Sequence, residues 1–114
     1  MGQILQDSTT TKTKRCDLLA VSKSKPIDSI ISAYYAGQRI FGENYVEEFS
    51  EKAVALKHLD IKWHFIGHLQ SRKCRALVSN LNLAMIESLD SQKLADTLNK
   101  ECKRIQREPI SVLV

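Results

Sequence analysis

The sequence is poor in the residues that break a chain or staple it. It has four glycines, two prolines and three cysteines among 114 residues. So little glycine and proline excludes collagen-like repeats and low-complexity linkers. Cys16, Cys74 and Cys102 stand far apart and form no C-x-x-C pair. An odd, scattered set argues against a disulfide framework and against a structural zinc site. Reduced thiols and a cytoplasmic setting are the expectation. No apolar run approaches the roughly 20 residues of a membrane span. No apolar stretch of signal-peptide type opens the chain. Gln6 stands where a myristoylation motif after Met1-Gly2 needs Ser or Thr. There is no G-x-G-x-x-G, no Walker loop and no H-E-x-x-H.

What remains is ordinary globular composition, 43% hydrophobic and 26% charged. The length suits one domain. The net charge is +4, carried by Lys12, Lys14 and Arg15, by Arg72, Lys73 and Arg75, and by Lys100, Lys103, Arg104 and Arg107. These groups read as solvated faces. Basic residues do not interleave with aromatics, so no nucleic-acid partner and no membrane partner is expected. Residues 1–16 are polar and Thr/Lys-rich with no period, and are expected to form a loose tail. Residues 17–114 are the expected domain.

From Asp17 onward two textures alternate. Leu18-Leu19-Ala20-Val21-Ser22 reads as a buried strand. Pro26 opens a helix, where its missing N–H costs nothing. Ile27, Ile30, Ile31 and Tyr34 form one stripe, and Gly37 stops it. Ile40-Phe41-Gly42 is a second strand. Val46, Phe49, Ala53 and Leu56 stripe a second helix, with Glu47, Glu48 and Glu51 in its early turns, where the dipole favours acids. Glu43, Glu47, Glu48 and Glu51 are expected to be a solvated helix start. Trp63-His64-Phe65-Ile66-Gly67 is a third strand. Cys74, Leu77, Val78 and Leu81 stripe a third helix. Leu83-Ala84-Met85-Ile86 is a fourth strand. Asp90 or Ser91 caps a fourth helix striped by Leu94, Leu98, Cys102 and Ile105. Residues 110–114 form a fifth strand.

Strands alternating with helices predict a parallel sheet with right-handed crossovers. Two α/β architectures fit: an open doubly wound sheet, or the first part of a (β/α)₈ TIM barrel. A full barrel needs roughly 250 residues. The run ending at Val114 has no following turn or covering helix, which fits an incomplete barrel.

In either architecture the chemistry sits at the C-terminal ends of the strands. Lys23 follows the first strand and lies beside Lys25. Burial and a like charge both favour the neutral amine, which adds to aldehydes. Lys23 is therefore the candidate nucleophile, against a plain solvated strand-end lysine. Gly42 permits close approach, and Asn44 offers hydrogen bonds to a ring substituent or simply caps the next helix. His64 and His68 would share a side if extended, but no third metal ligand accompanies them, so no metal is expected.

These residues carry a resemblance. Leu18-Leu19-Ala20-Val21-Ser22-Lys23-Ser24-Lys25-Pro26 resembles the first strand and cofactor lysine of the pyridoxal-phosphate homeostasis protein family. Ala36-Gly37-Gln38-Arg39-Ile40-Phe41-Gly42-Glu43-Asn44-Tyr45-Val46 resembles its second signature. Lys62-Trp63-His64-Phe65-Ile66-Gly67-His68-Leu69-Gln70-Ser71 resembles its third. The resemblance runs from about Asp17 to Val114, with the three motifs in order and in register. It implies a (β/α)₈ barrel related to the N-terminal domain of alanine racemase. It implies pyridoxal 5′-phosphate held as a Schiff base on Lys23, with Asn44 near the ring and His64 in the pocket wall. It further implies a monomeric carrier and regulator of vitamin B6 and amino-acid balance rather than an enzyme. A racemase of the same fold type is the runner-up, and a basic phosphate- or RNA-binding module is a third reading.

The departures also carry expectations. Relatives have a helix before the first strand, where this chain has a short polar tail. Arg72 stands where Asn is usual. Relatives run to roughly twice this length and grip the cofactor phosphate late in the barrel, in keeping with the usual barrel phosphate site. This chain is therefore expected to be an N-terminal part of such a barrel. By itself it should bind the cofactor weakly, and its unpaired strand edges should favour self-association.

Overall fold

The structure, a computed structural model, describes residues 17–113. The tail expected at 1–16 lies outside them. In chain order the elements are β1 (Ala20–Val21), α1 (Ile27–Tyr35), β2 (Ile40–Glu43), α2 (Val46–Ala55) and β3 (Lys62–Phe65). A 3-10 turn at Ser71–Lys73 leads into α3 (Cys74–Val78), followed by β4 (Leu83–Ile86), α4 (Gln92–Ile105) and β5 (Ser111–Val112).

Every strand pairs in parallel with the next one in sequence, in the order β1-β2-β3-β4-β5. This decides between the two architectures. A doubly wound sheet reverses its strand order at a switch point. Here the order never reverses, which is the winding of a barrel wall. The burial pattern agrees. Phe41, Trp63, Phe65, Leu83 and Ile86 from the strands share one core with Ile30, Phe49, Leu77, Leu94 and Leu98 from the helices. One core on one face of the sheet leaves the opposite face for the barrel interior.

Local chemistry accounts for the element ends. Pro26 precedes α1 in an extended conformation. Gly37 follows α1 with φ +113°, a left-handed geometry that a side chain would strain. The Ser91 hydroxyl caps α4 by accepting from the Leu94 N–H at 3.1 Å. Gln106 closes α4 in the left-handed region. Arg107 then binds back. Its guanidinium donates to the carbonyls of Val78, Asn80 and Leu83, which fixes the loop from α3 into β4.

The core is aromatic where β2, β3 and α2 meet. The Trp63 ring lies 5.9 Å from Phe41 and 5.5 Å from Phe49. All three are fully buried. The third helix is shorter than its expected stripe. It ends at Val78, and Leu81 is 70% exposed in the following turn. The fifth strand is likewise shorter than expected, and Val114 lies outside the described residues.

The strand register sorts the two faces. Val21, Gly42, His64 and Met85 are in line across β1 to β4. Phe41 and Trp63, one residue earlier, belong to the core face, so this row faces the open side. Ala84 is the extra residue of a bulge, since Trp63 pairs with Leu83 but His64 pairs with Met85.

Candidate functional site

The open face ends in a polar edge. Counting two residues beyond the Val21–Gly42–His64–Met85 row, alternation brings Lys23, Asn44, Ile66 and Glu87 to the C-terminal ends of four adjacent strands. Residues 64 positions apart in sequence, Lys23 and Glu87, thus belong to one edge.

Lys23 occupies the second position of a turn closed by the Lys25 N–H donating to the Ser22 carbonyl at 3.0 Å. Ser24, the third residue, has φ +61°. Lys23 itself is exposed. In its exposure it matches the solvated strand-end lysine of the two readings, because β1 ends at Val21 and the chain turns outward.

Asn44 is not a helix cap. Tyr45 holds the cap position of α2 and makes no side-chain cap bond. The Asn44 Oδ1 is buried and has no hydrogen-bond partner among the described residues. The backbone of Gly67 passes directly over Asn44. A Cβ on Gly67 would lie 2.1 Å from the Asn44 carbonyl oxygen. Gly67 is required by that crossing. Gly42 carries the tips of Leu19 and Ile66, which would meet its Cβ at 2.8 and 3.0 Å. These apolar tips form a floor between Lys23 and His64.

His64 is largely buried, and its Nδ1 lies 2.6 Å from Glu87 Oε2. The pair places the ring proton on Nδ1 toward the carboxylate and turns Nε2 the other way. His68 has no part in this arrangement. It lies beyond β3, is largely exposed, and stands 3.8 Å from Asp90. No group of three metal-ligating side chains occurs among the described residues.

Directly beneath the Lys23 turn lies a polar cluster the sequence reading did not anticipate. Glu43 was expected to be solvated with the other acids of the helix start. It is fully buried, because it shares the core-facing side of β2 with Phe41. The Lys52 ammonium donates to Glu43 Oε2 at 2.8 Å, to Glu48 Oε2 at 2.6 Å and to the Ser22 carbonyl at 2.7 Å. The Ser22 hydroxyl donates to Glu43 Oε2 at 2.5 Å. The Ser24 N–H donates to Glu48 Oε2 at 2.6 Å. The Lys52 hydrogen bond, and next to it that of Ser24 against some burial, holds the Glu48 carboxyl below its ordinary pKa. The sequence carried a usable signal: Lys52 is three residues after Phe49, on the flank of the α2 stripe.

No family model matches the chain. Individual proteins do. Pyridoxal phosphate homeostasis protein of Mus musculus is 52% identical over 102 residues, covering 85% of this chain and 37% of that protein. The Homo sapiens protein of the same name is 54% identical over 91 residues, covering 76% of this chain and 33% of that one. Among solved structures, PipY of Synechococcus elongatus with pyridoxal phosphate bound aligns at TM-score 0.76 and 41% identity, over 86% of this chain and 46% of that one. The chain thus spans well under half the length of the curated relatives it matches. Over its matched part the chain is thus homologous to proteins named for pyridoxal phosphate homeostasis and shares the fold of PipY.

Proposed function

We propose that the edge formed by Lys23, Asn44 and His64 is the covalent-attachment side of a pyridoxal 5′-phosphate site, in a protein that holds the cofactor for vitamin B6 and amino-acid homeostasis rather than turning over a substrate. The observation that carries this reading is the buried, unpartnered Asn44 Oδ1 on the same edge as an exposed lysine amine. A buried acceptor without a donor costs free energy until a ligand supplies one. The cofactor's ring oxygen is a partner for this amide, taken by Oδ1 from its hydroxyl form or, with the amide turned over, by the side-chain NH2 donating to its phenolate form, and its aldehyde is the partner an amine needs. The relatives named for pyridoxal phosphate homeostasis, and the PipY structure with the cofactor bound, support the same assignment.

Each residue has a distinct role in this reading. Lys23 supplies the nucleophilic nitrogen. Asn44 hydrogen-bonds the ring substituent. His64, held by Glu87, offers a fixed imidazole edge along the wall. Leu19 and Ile66 provide the apolar surface on which a ring rests. Residues 17–114 act as one domain in this proposal.

The test treats the chain with excess pyridoxal phosphate and then borohydride. Amine and aldehyde condense with loss of one water, and hydride delivered to the carbon of the C=N bond leaves a stable secondary amine. Peptide mass spectrometry should find the pyridoxyl group mainly on Lys23. A visible absorbance band should accompany it and vanish in Lys23→Ala. Labelling spread evenly over the surface lysines, with a band that Lys23→Ala retains, would overturn the assignment.

A further inference from the structure

The buried cluster beneath Lys23 is costly. Ser22, Glu43 and Lys52 are each at most 5% exposed. Desolvating an ion pair offsets much of its Coulomb attraction, and apolar residues of similar volume commonly serve stability as well. One oxygen, Glu43 Oε1, even lacks a partner among the described residues. Stability alone therefore gives weak reason for this arrangement.

Its wiring gives a better one. All three protons of the Lys52 ammonium are used, and one of them goes to the backbone carbonyl of Ser22. Glu48, oriented by Lys52, accepts from the backbone N–H of Ser24. These two backbone groups flank Lys23 on either side. Between them the chain makes a tight turn, with Ser24 in the left-handed region that non-glycine residues avoid. Such a conformation persists only where surrounding contacts over-determine it. Here those contacts are the Lys25 N–H to the Ser22 carbonyl, the Ser22 N–H to the Gly42 carbonyl at 2.9 Å, and the Lys52–Glu48 pair reaching up from α2.

We infer that Lys52, Glu43 and Glu48 are positioning residues, a buried clamp that fixes the backbone on both sides of Lys23 and so aims its amine over the open face of the sheet. The inference rests on the proposed role of Lys23. It assigns to α2, on the far side of the sheet from the ligand, control over where the attaching nitrogen stands. A long lysine side chain samples many rotamers. Fixing its Cα and Cβ at a strand end is what confines the nitrogen to one neighbourhood.

Two measurements on the 114-residue chain test this. The first is amide hydrogen exchange at Ser24 and Lys25, whose N–H groups lie inside the clamp. The second is the Lys23-to-Lys25 ratio of borohydride-trapped pyridoxyl label, with pyridoxal phosphate as the probe. In Lys52→Met and in Glu48→Ala, protection of both amides should fall about tenfold or more, and the labelling ratio should fall several-fold toward unity. Glu48→Ala carries the test if Lys52→Met does not fold, since the Glu48 side chain is 25% exposed and its loss leaves Glu43 bonded to Lys52. Unchanged protection and an unchanged ratio in a folded variant would overturn the clamp. A wild-type chain without Lys23 preference would overturn the proposed attachment instead, and the amide protection would still decide the clamp.

Discussion

His64 on β3 and Glu87 just beyond β4 are joined side by side across the sheet, Nδ1 to Oε2 at 2.6 Å. The bulge at Ala84 makes this meeting work. It advances β4 by one residue, so that Met85 rather than Ala84 stands opposite His64 and Glu87 falls on the open face. In long-range proton–nitrogen spectra, His64 should carry its proton at Nδ1, and Glu87→Ala should release it to the mixture of tautomers typical of a free imidazole. Partial exposure keeps the coupling modest, at about 1 kcal/mol in a double-mutant cycle. Additivity of the two single substitutions would refute the pairing.

Two glycines at this edge make opposite predictions. Alanine at position 67 would drive a methyl group into the backbone of Asn44, with carbonyl oxygen, carbonyl carbon and Cα at 2.1, 2.8 and 2.9 Å. Backbone cannot swing aside, so Gly67→Ala should cost about 3 kcal/mol and displace Asn44. Gly42→Ala meets only the tips of Leu19 and Ile66, which can change rotamer, and should cost about 1 kcal/mol. Urea midpoints of the two variants provide the comparison. Equal losses would show that the Gly67 crossing is not as tight as the distances imply.

The single tryptophan reports on the core. Trp63 is fully buried between Phe41 and Phe49. Its emission should be blue-shifted in the native chain and resistant to iodide quenching, and both properties should be lost together in urea. Phe49→Ala should lower stability by about 3 to 5 kcal/mol, the usual cost of an emptied aromatic site. Native emission already at the wavelength of solvated indole would contradict this packing.

Much of this fold was legible because period and punctuation agreed. Ile27, Ile30, Ile31 and Tyr34 gave α1, bounded by Pro26 and Gly37, and residues 83–86 were read as β4 with their observed ends. The choice of barrel winding over a doubly wound sheet was not legible from periodicity, since strand order is a tertiary fact. Lys23 and Asn44 were found at strand ends by the same rule that places sites in parallel folds. The rule says nothing about depth, and so it left a buried and a solvated Lys23 both open. Glu43 was misjudged for another reason. A charged side chain reads as solvated until its partner is known, and the partners of Glu43, Lys52 and Ser22, lie 9 and 21 residues away in the chain.

Cys74 and Cys102 should be sluggish in the folded chain. Burial, and after it the Glu101 carboxylate and Cys102, push the Cys74 thiol up to about 11. Burial raises Cys102 as well. Only thiolate is alkylated, so a thiol shifted from 9 to about 11 holds roughly a hundredfold less reactive form at pH 8. Iodoacetamide labelling of Cys74, followed by peptide mass spectrometry, should be slow in buffer and fast in urea. Rapid labelling in buffer would mean that α3 opens readily from the sheet.

Stability should fall on acidification, and two carboxylates contribute to that loss. Glu101 is held below its ordinary value of 4.5 first by Arg104, at 2.7 Å, and then by Arg75, at 3.2 Å. Glu48 is held down first by Lys52. A carboxyl whose folded pKa is lowered binds fewer protons folded than unfolded. Its contribution is whole above the ordinary value, and it declines as pH drops from there through the folded pKa. Urea midpoints followed by Trp63 emission should thus hold steady from neutrality to about pH 5 and then decrease. Glu101→Gln should lower the midpoint at neutral pH and flatten the acid decline. Added salt should mimic part of that effect, because Arg75 and Arg104 are partly exposed and their attraction is screened. An acid decline as steep in Glu101→Gln as in the parent chain would assign the loss to other groups.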